Sequence, residues 1–127
     1  MTTITLTARG KAAPEVVWER YADLDAWSQW SPQIRSVTAP YRRIRPGLEG
    51  QVRGPLGVRI TFTVTEVLDR SWSWRVALPV GVHLDMEHIV TDRADGAETT
   101  LHVRGPAPLV LGYAPIAQLA LHRLVSR

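Results

Sequence analysis

The chain has 127 residues, 45% of them hydrophobic and 21% charged, a balance that suits one globular domain over 1–127 and excludes a disordered segment. It has no cysteine, which removes disulfides, thiolate metal sites and cysteine nucleophiles. The net charge of +3 is nearly all arginine, and its dense cluster is confined to Arg42, Arg43 and Arg45. That cluster is too short for a nucleic-acid-binding stripe and reads as a solvated strand edge.

The opening MTTITLTARGKA lacks a continuous apolar core, so no signal peptide is expected and the cytoplasm is the default location. Ile4, Leu6 and Ala8 alternate with Thr3, Thr5 and Thr7, the pattern of a half-buried strand. Pro14 and Glu15 suit the first turn of a helix, and Val17, Tyr21 and Leu24 would line its core face. Asp23 or Asp25 can cap a short second helix bearing Trp27 and Trp30, which ends at Ser31 because Pro32 follows.

Beyond this point the period changes to two. A strand is expected near 36–45, with Val37, Ala39 and Tyr41 on one face and Pro40 marking an edge. A short strand follows around Val52, and GPLG at 54–57 turns into VRITFTVTEV, the cleanest alternation in the chain. WSWRVAL, HLDMEHIV and TTLHVRG are the next strands, and an apolar helix over 108–126 closes the chain. Its neighbourhood from Gly105 to Leu121 has no charge, but it is too short and too interrupted for a membrane span. No stable membrane insertion is expected.

Gly112 and Pro115 interrupt the closing helix. Proline inside a helix costs about 3 kcal/mol, so a bend there or a fresh start near Pro115 is expected. Ile116, Leu119, Ala120 and Leu124 would then face the sheet, leaving Leu121 and Val125 to meet a second subunit in a homodimer.

One strand, two short helices, six antiparallel strands and a final helix is the element order of the helix-grip fold. The chain resembles the START-like (SRPBCC) superfamily, and within it the polyketide cyclase/dehydratase-like lipid-transport family. The resemblance is carried by APEVVWERYADLDAWSQWSP, by WSWRVALP before a GV turn, by MEHIV, and by the T.L.V.G strand ahead of the last helix. It implies an α+β domain: a curled seven-stranded antiparallel sheet wrapped around the C-terminal helix, with an apolar cavity between them. The final helix of such proteins is usually longer, so the cavity mouth would be partly uncovered here.

Strand alternation assigns side chains to that interior. It sends Ile60, Phe62, Val64, Trp72, Trp74, Leu84, Met86, Val90, Leu101 and Val103 inward. His88 shares this parity and is either a core histidine bonded to the main chain or a polar anchor or acid–base for a ligand. Trp27 and Trp30 would edge the cavity entrance, Tyr113 would add a phenol from the closing helix, and Trp18 belongs to plain core packing. Four indoles around one interior favour a pocket over core alone.

His83, Asp85 and Glu87 lie two apart on the opposite face and invite a metal, but a solvated strand face should be polar in any case. His83 and His102 are expected to be exposed. No nucleophile elbow or phosphate loop is present, and no cofactor is expected. Two functions remain: a carrier or sensor for a small hydrophobic, aromatic, lipid- or polyketide-like molecule, or a cyclase/dehydratase with His88 moving a proton. The sparse inward polar groups favour binding.

Overall fold

The computed structural model describes residues 1–127, the Val80 side chain excepted. Strand β1 (Thr2–Gly10) leads to helix α1 (Pro14–Ala22), then a 3-10 turn (Leu24–Ala26) that runs into α2 (Trp27–Trp30). Six strands follow: β2 (Ser36–Thr38), β3 (Glu49–Arg53), β4 (Arg59–Val67), β5 (Ser71–Leu78), β6 (Val82–Arg93) and β7 (Gly96–Gly105). Helix α3 (Ala107–Leu124) closes the chain. The strands form one antiparallel sheet in the order β1-β7-β6-β5-β4-β3-β2. This is the helix-grip architecture that the element order implied.

Local chemistry sets the helix ends. Pro14 occupies the first turn of α1, Glu15 meets its positive end, and Arg20 lies in its last turn. The Asp23 carboxylate accepts the Asp25 N–H at 3.0 Å and caps the following turn. Ser31, ahead of Pro32, is extended and stops α2.

The expected strand over 36–45 shrinks to Ser36–Thr38. Pro40 cannot donate to the ladder, and the main chain of the next segment turns to α1 instead, with Leu24 N–H donating to Arg42 O and Ile44 N–H to Ala22 O. The arginine cluster is consequently tied down on acids rather than free. Arg42 bonds Asp25 and Arg43 bonds Glu19, while the Arg45 guanidinium sits 4.2 Å above the Tyr41 ring.

The closing helix departs from expectation in phase, and of the two outcomes expected at Pro115 the fresh start does not occur. It begins at Ala107 with Pro108 in its first turn and runs on through Pro115, so it does not start late. Pro115 leaves the Leu111 carbonyl without an intrahelical donor. Leu111 is 59% exposed, so water can meet that carbonyl.

Val110, Ala117, Ala120, Leu121 and Leu124 form the buried stripe of α3, whereas Ile116 and Leu119 are 43% and 47% exposed. Leu121 and Val125 are buried inside the chain and cannot meet a second subunit. The apolar side chains left outside on this helix are Leu109, Leu111, Ile116 and Leu119. The physical reason is volume. The sheet presents indoles to the cavity, and Ala117 and Ala120 of the buried stripe take up little of the room opposite them.

Close approach fixes the helix end. A Cβ on Gly10 would sit 2.1 Å from Val125 O, the same carbonyl that accepts Ala12 N–H at 3.0 Å. Only glycine lets the end of β1 reach this point. Among the described residues no helix is long and apolar enough to cross a membrane.

Candidate ligand-binding cavity

The inward parity read from the sequence is the parity observed. Phe62, Val64, Trp72, Trp74, Leu84, Met86, Val90, Leu101 and Val103 are buried, and Ile60 is half-buried. A bulge between Val64 and Glu66 resets the register of β4 on β5, so that Val67 pairs with Trp72. The bulge lies beyond the residues that line the interior and leaves their parity intact.

Between this face and α3 lies a cavity of about 150 Å³. Its floor is built in cross-strand rows. Leu101 pairs with His88 and His88 with Trp72, and in the next row Val103 pairs with Met86 and Met86 with Trp74. Trp27 and Trp30 close one side from α2, and Ala117, Ala120 and Leu121 roof it from α3. Ser31, Gln33, Gly54, Leu78 and Tyr113 are among the other lining residues.

Eight of the nine residues expected around a ligand line this cavity: Trp27, Trp30, Ile60, Trp72, Trp74, Met86, His88 and Tyr113. Phe62 does not. Its ring lies 5.6 Å from that of Trp27 and 5.2 Å from that of Trp74, and these larger rings screen it from the space. Alternation gives the face of a sheet but not which of two neighbouring rings stands in front. Ala117 of α3 and Gln33 were missed, whereas Ala120 was expected to face the sheet. Ala117, Ala120 and Leu124 do fall at helical spacing with Tyr113, a signal obscured because alanine is small. For Gln33 the sequence held no signal.

The aromatic cluster has two kinds of indole. Trp27 Nε1 donates to Tyr21 O at 2.8 Å and Trp30 Nε1 to Arg20 O at 2.9 Å. Trp72 Nε1 and Trp74 Nε1 are buried with no partner, as is Gln33 Oε1. Gln33 Nε2 donates to the Tyr113 hydroxyl at 2.9 Å.

His88 stacks flat on Trp72, ring centroids 4.0 Å apart and planes 6° from parallel. Its Nδ1 is 3.2 Å from Trp72 O. A carbonyl only accepts, so Nδ1 carries the proton and Nε2 keeps the lone pair. Burial pushes the His88 pKa down to about 3, against which the bond to Trp72 O works only weakly. Desolvation likewise pushes the Tyr113 phenol up to about 12. Both are neutral at pH 7, and among the described residues no Asp, Glu, Lys or Arg lines the space. The cavity is therefore uncharged.

On the outer face His83 is exposed, whereas His102 is half-buried, its Nδ1 at 2.9 Å from Thr5 Oγ1. Asp85 is paired with Arg75 at 2.8 Å and Glu87 lies 3.9 Å from His102. These acids face cross-strand basic groups, as a solvated sheet face allows.

Solved structures share this fold at low identity. The chain is similar to MLL2253 from Mesorhizobium loti (TM-score 0.80, 15% identity, covering 97% of this chain and 96% of that one). It is also similar to CV1439 from Chromobacterium violaceum (TM-score 0.76, 16% identity, 98% and 96% covered). DynU16, from the dynemicin biosynthetic locus, matches with TM-score 0.76 and 19% identity over 96% of this chain but 46% of its own. Among curated proteins none matches the sequence. The model of one family, polyketide cyclase / dehydrase and lipid transport, matches residues 1–127; an uncharged, indole-walled cavity under a helix-gripping sheet is thus found in a chain that belongs to that family.

Proposed function

We propose that this protein binds a small hydrophobic molecule in the cavity between sheet and α3, as a carrier or sensor. The observation that carries the reading is the cavity itself, apolar, walled by four indoles and free of ionised side chains. Such a lining favours desolvated aromatic ligands. Its size supports a modest occupant, since a cavity near 150 Å³ suits about one benzene ring. A larger ligand would leave part of itself at the mouth, beside Gln33 and Tyr113.

The alternative, a cyclase or dehydratase using His88 as acid–base, finds less support. A catalytic base works best with a pKa near the operating pH, and that of His88 is pushed far below it. Its Nδ1 faces a main-chain carbonyl rather than a carboxylate that would raise its basicity.

Two experiments test the binding reading. Mass spectrometry of small molecules released by denaturing the purified protein should find a hydrophobic compound. Titration with aromatic compounds should change the tryptophan emission, and Ala117→Leu, which fills the space from α3, should abolish that response while the protein stays folded. An unchanged emission across a broad aromatic panel would sink the proposal.

A further inference from the structure

We propose that the tip of the β3–β4 hairpin, with Arg35, Arg53 and Arg59 at its base, docks the protein on an anionic lipid bilayer. The docking goes beyond the binding reading and does not depend on it.

Because the sheet is antiparallel, the β3–β4 and β5–β6 turns, the approach to β2 and the start of α3 all lie at one end of it. Gln33, Gly54, Leu78 and Tyr113 bring the cavity lining to this end. The chain that meets here, residues 1–8, 31–38, 50–62, 74–84 and 101–113, contains Arg35, Arg53, Arg59, Arg75 and Arg104 and no Asp or Glu. The next acid along, Asp85, is taken by Arg75 at 2.8 Å.

Arg53 and Arg59 stand opposite each other in the ladder, and Arg35 N–H donates to Arg53 O at 2.8 Å. All three side chains are exposed, and among the described residues no carboxylate pairs with them. Like charges facing each other across a ladder destabilise it, so this arrangement calls for an anion from outside. The opposite end differs. There Arg70 lies on Glu15, and Arg9 and Arg93 share Glu98.

Between Arg53 and Arg59 the chain puts apolar side chains into water. Leu56 is 100% exposed with φ +61°, a conformation that L side chains rarely adopt. Neither internal packing nor backbone preference accounts for a leucine there. Val58 beside it is 52% exposed, and Leu109 and Leu111 in the first turns of α3 add apolar surface at the same end.

An apolar tip set among unanswered cations suits a membrane interface. The leucine enters the boundary of the acyl chains, and the guanidinium groups meet lipid phosphates. A nucleic acid would use the arginines but leave Leu56 in water. Among the described residues no helix is long and apolar enough to cross a membrane, so the docking is peripheral.

The test is co-sedimentation with vesicles of phosphatidylcholine mixed with phosphatidylglycerol, against phosphatidylcholine alone. The protein should pellet with the anionic vesicles and hardly with the neutral ones, and added salt should weaken the binding. Leu56→Ser should weaken it about tenfold, and Arg53→Ala and Arg59→Ala about fivefold each. Leu68→Ser, an exposed leucine at the opposite end, should change it less than about twofold. All these side chains are exposed, so the variants should fold. Protein left in the supernatant with anionic vesicles, or undiminished binding by Leu56→Ser, would overturn the inference. Retention on heparin without vesicle binding would assign the surface to a soluble polyanion and overturn it too. Docking is read without a ligand, so its failure leaves the cavity reading standing, and a silent tryptophan titration leaves the docking standing.

Discussion

The two indoles that come from the helical segment and the two that come from the sheet share one aromatic cluster but live under different rules. Trp27 and Trp30 each give their N–H to a carbonyl of α1, the helix immediately before them. Their polar edges staple α2 to α1 while their faces cover the sheet. Trp72 and Trp74 have the same chemistry and comparable burial, yet among the described residues none takes their N–H groups. The lesson is that burial alone does not describe what a buried indole does. The hydrogen-bond account separates the two pairs: one ties neighbouring elements together through its N–H groups, and the other contributes its ring faces.

Breaking the satisfied side of this comparison should have the largest effect. Trp27→Ala removes a fully buried indole that stacks on Trp72 and packs edge-on against Trp74. A loss of about 3–5 kcal/mol in urea unfolding is expected. A loss under about 1 kcal/mol would mean that the cluster is looser than its contacts imply.

Acid should act next, through the histidine that backs Trp72. The folded pKa of His88 is lowered to about 3 from 6.5, so between these values the unfolded chain binds the extra proton. Its contribution to stability is complete above about pH 6.5 and is lost as the pH falls toward 3, at up to about 1.4 kcal/mol per unit. His88→Phe keeps a flat ring on Trp72 and removes the titration. Urea midpoints measured from pH 7 to pH 5 should fall more steeply for the natural protein than for this variant, and parallel curves would contradict the assignment.

The direct contrast of the two indole classes is smaller. Trp27→Phe strands the Tyr21 carbonyl, while Trp74→Phe relieves an unanswered donor. Both lose similar area, so Trp27→Phe should cost more by about 1 kcal/mol. Equal costs by chemical denaturation would remove the distinction on which the comparison stands. At the small end, Arg43→Ala breaks an exposed pair with Glu19, and a change below about 1 kcal/mol is expected. That variant provides the surface baseline for the other four.

Much of the fold was legible in the chain because it rests on local rules. Period-two alternation, Pro14 at a helix start and Ser31-Pro32 at a helix stop each act over a few residues. Strand parity placed His88 in the interior for the same reason, though it did not pair His88 with its neighbour Trp72. The cavity itself was less legible. Phe62 and Trp74 share a parity, and only three-dimensional packing puts the indole in front of the phenyl ring. On α3, Ala120 and Leu124 turned inward as their spacing implied, yet Ile116 and Leu119 turned outward and Ala117 and Leu121 inward.

What the sequence determined by itself, then, is the order of the elements, the faces of the strands and the absence of charge among the inward positions, since these follow from near-neighbour sterics and alternation. Tertiary structure alone decided the phase of α3, because a helix rotates to suit the bulk of the indoles opposite it. It also decided which polar edges are answered. A hydrogen bond between Trp27 and Tyr21 needs both chain position and orientation, and the missing partners of Trp72 and Trp74 are a property of the space around them, which no residue pattern records.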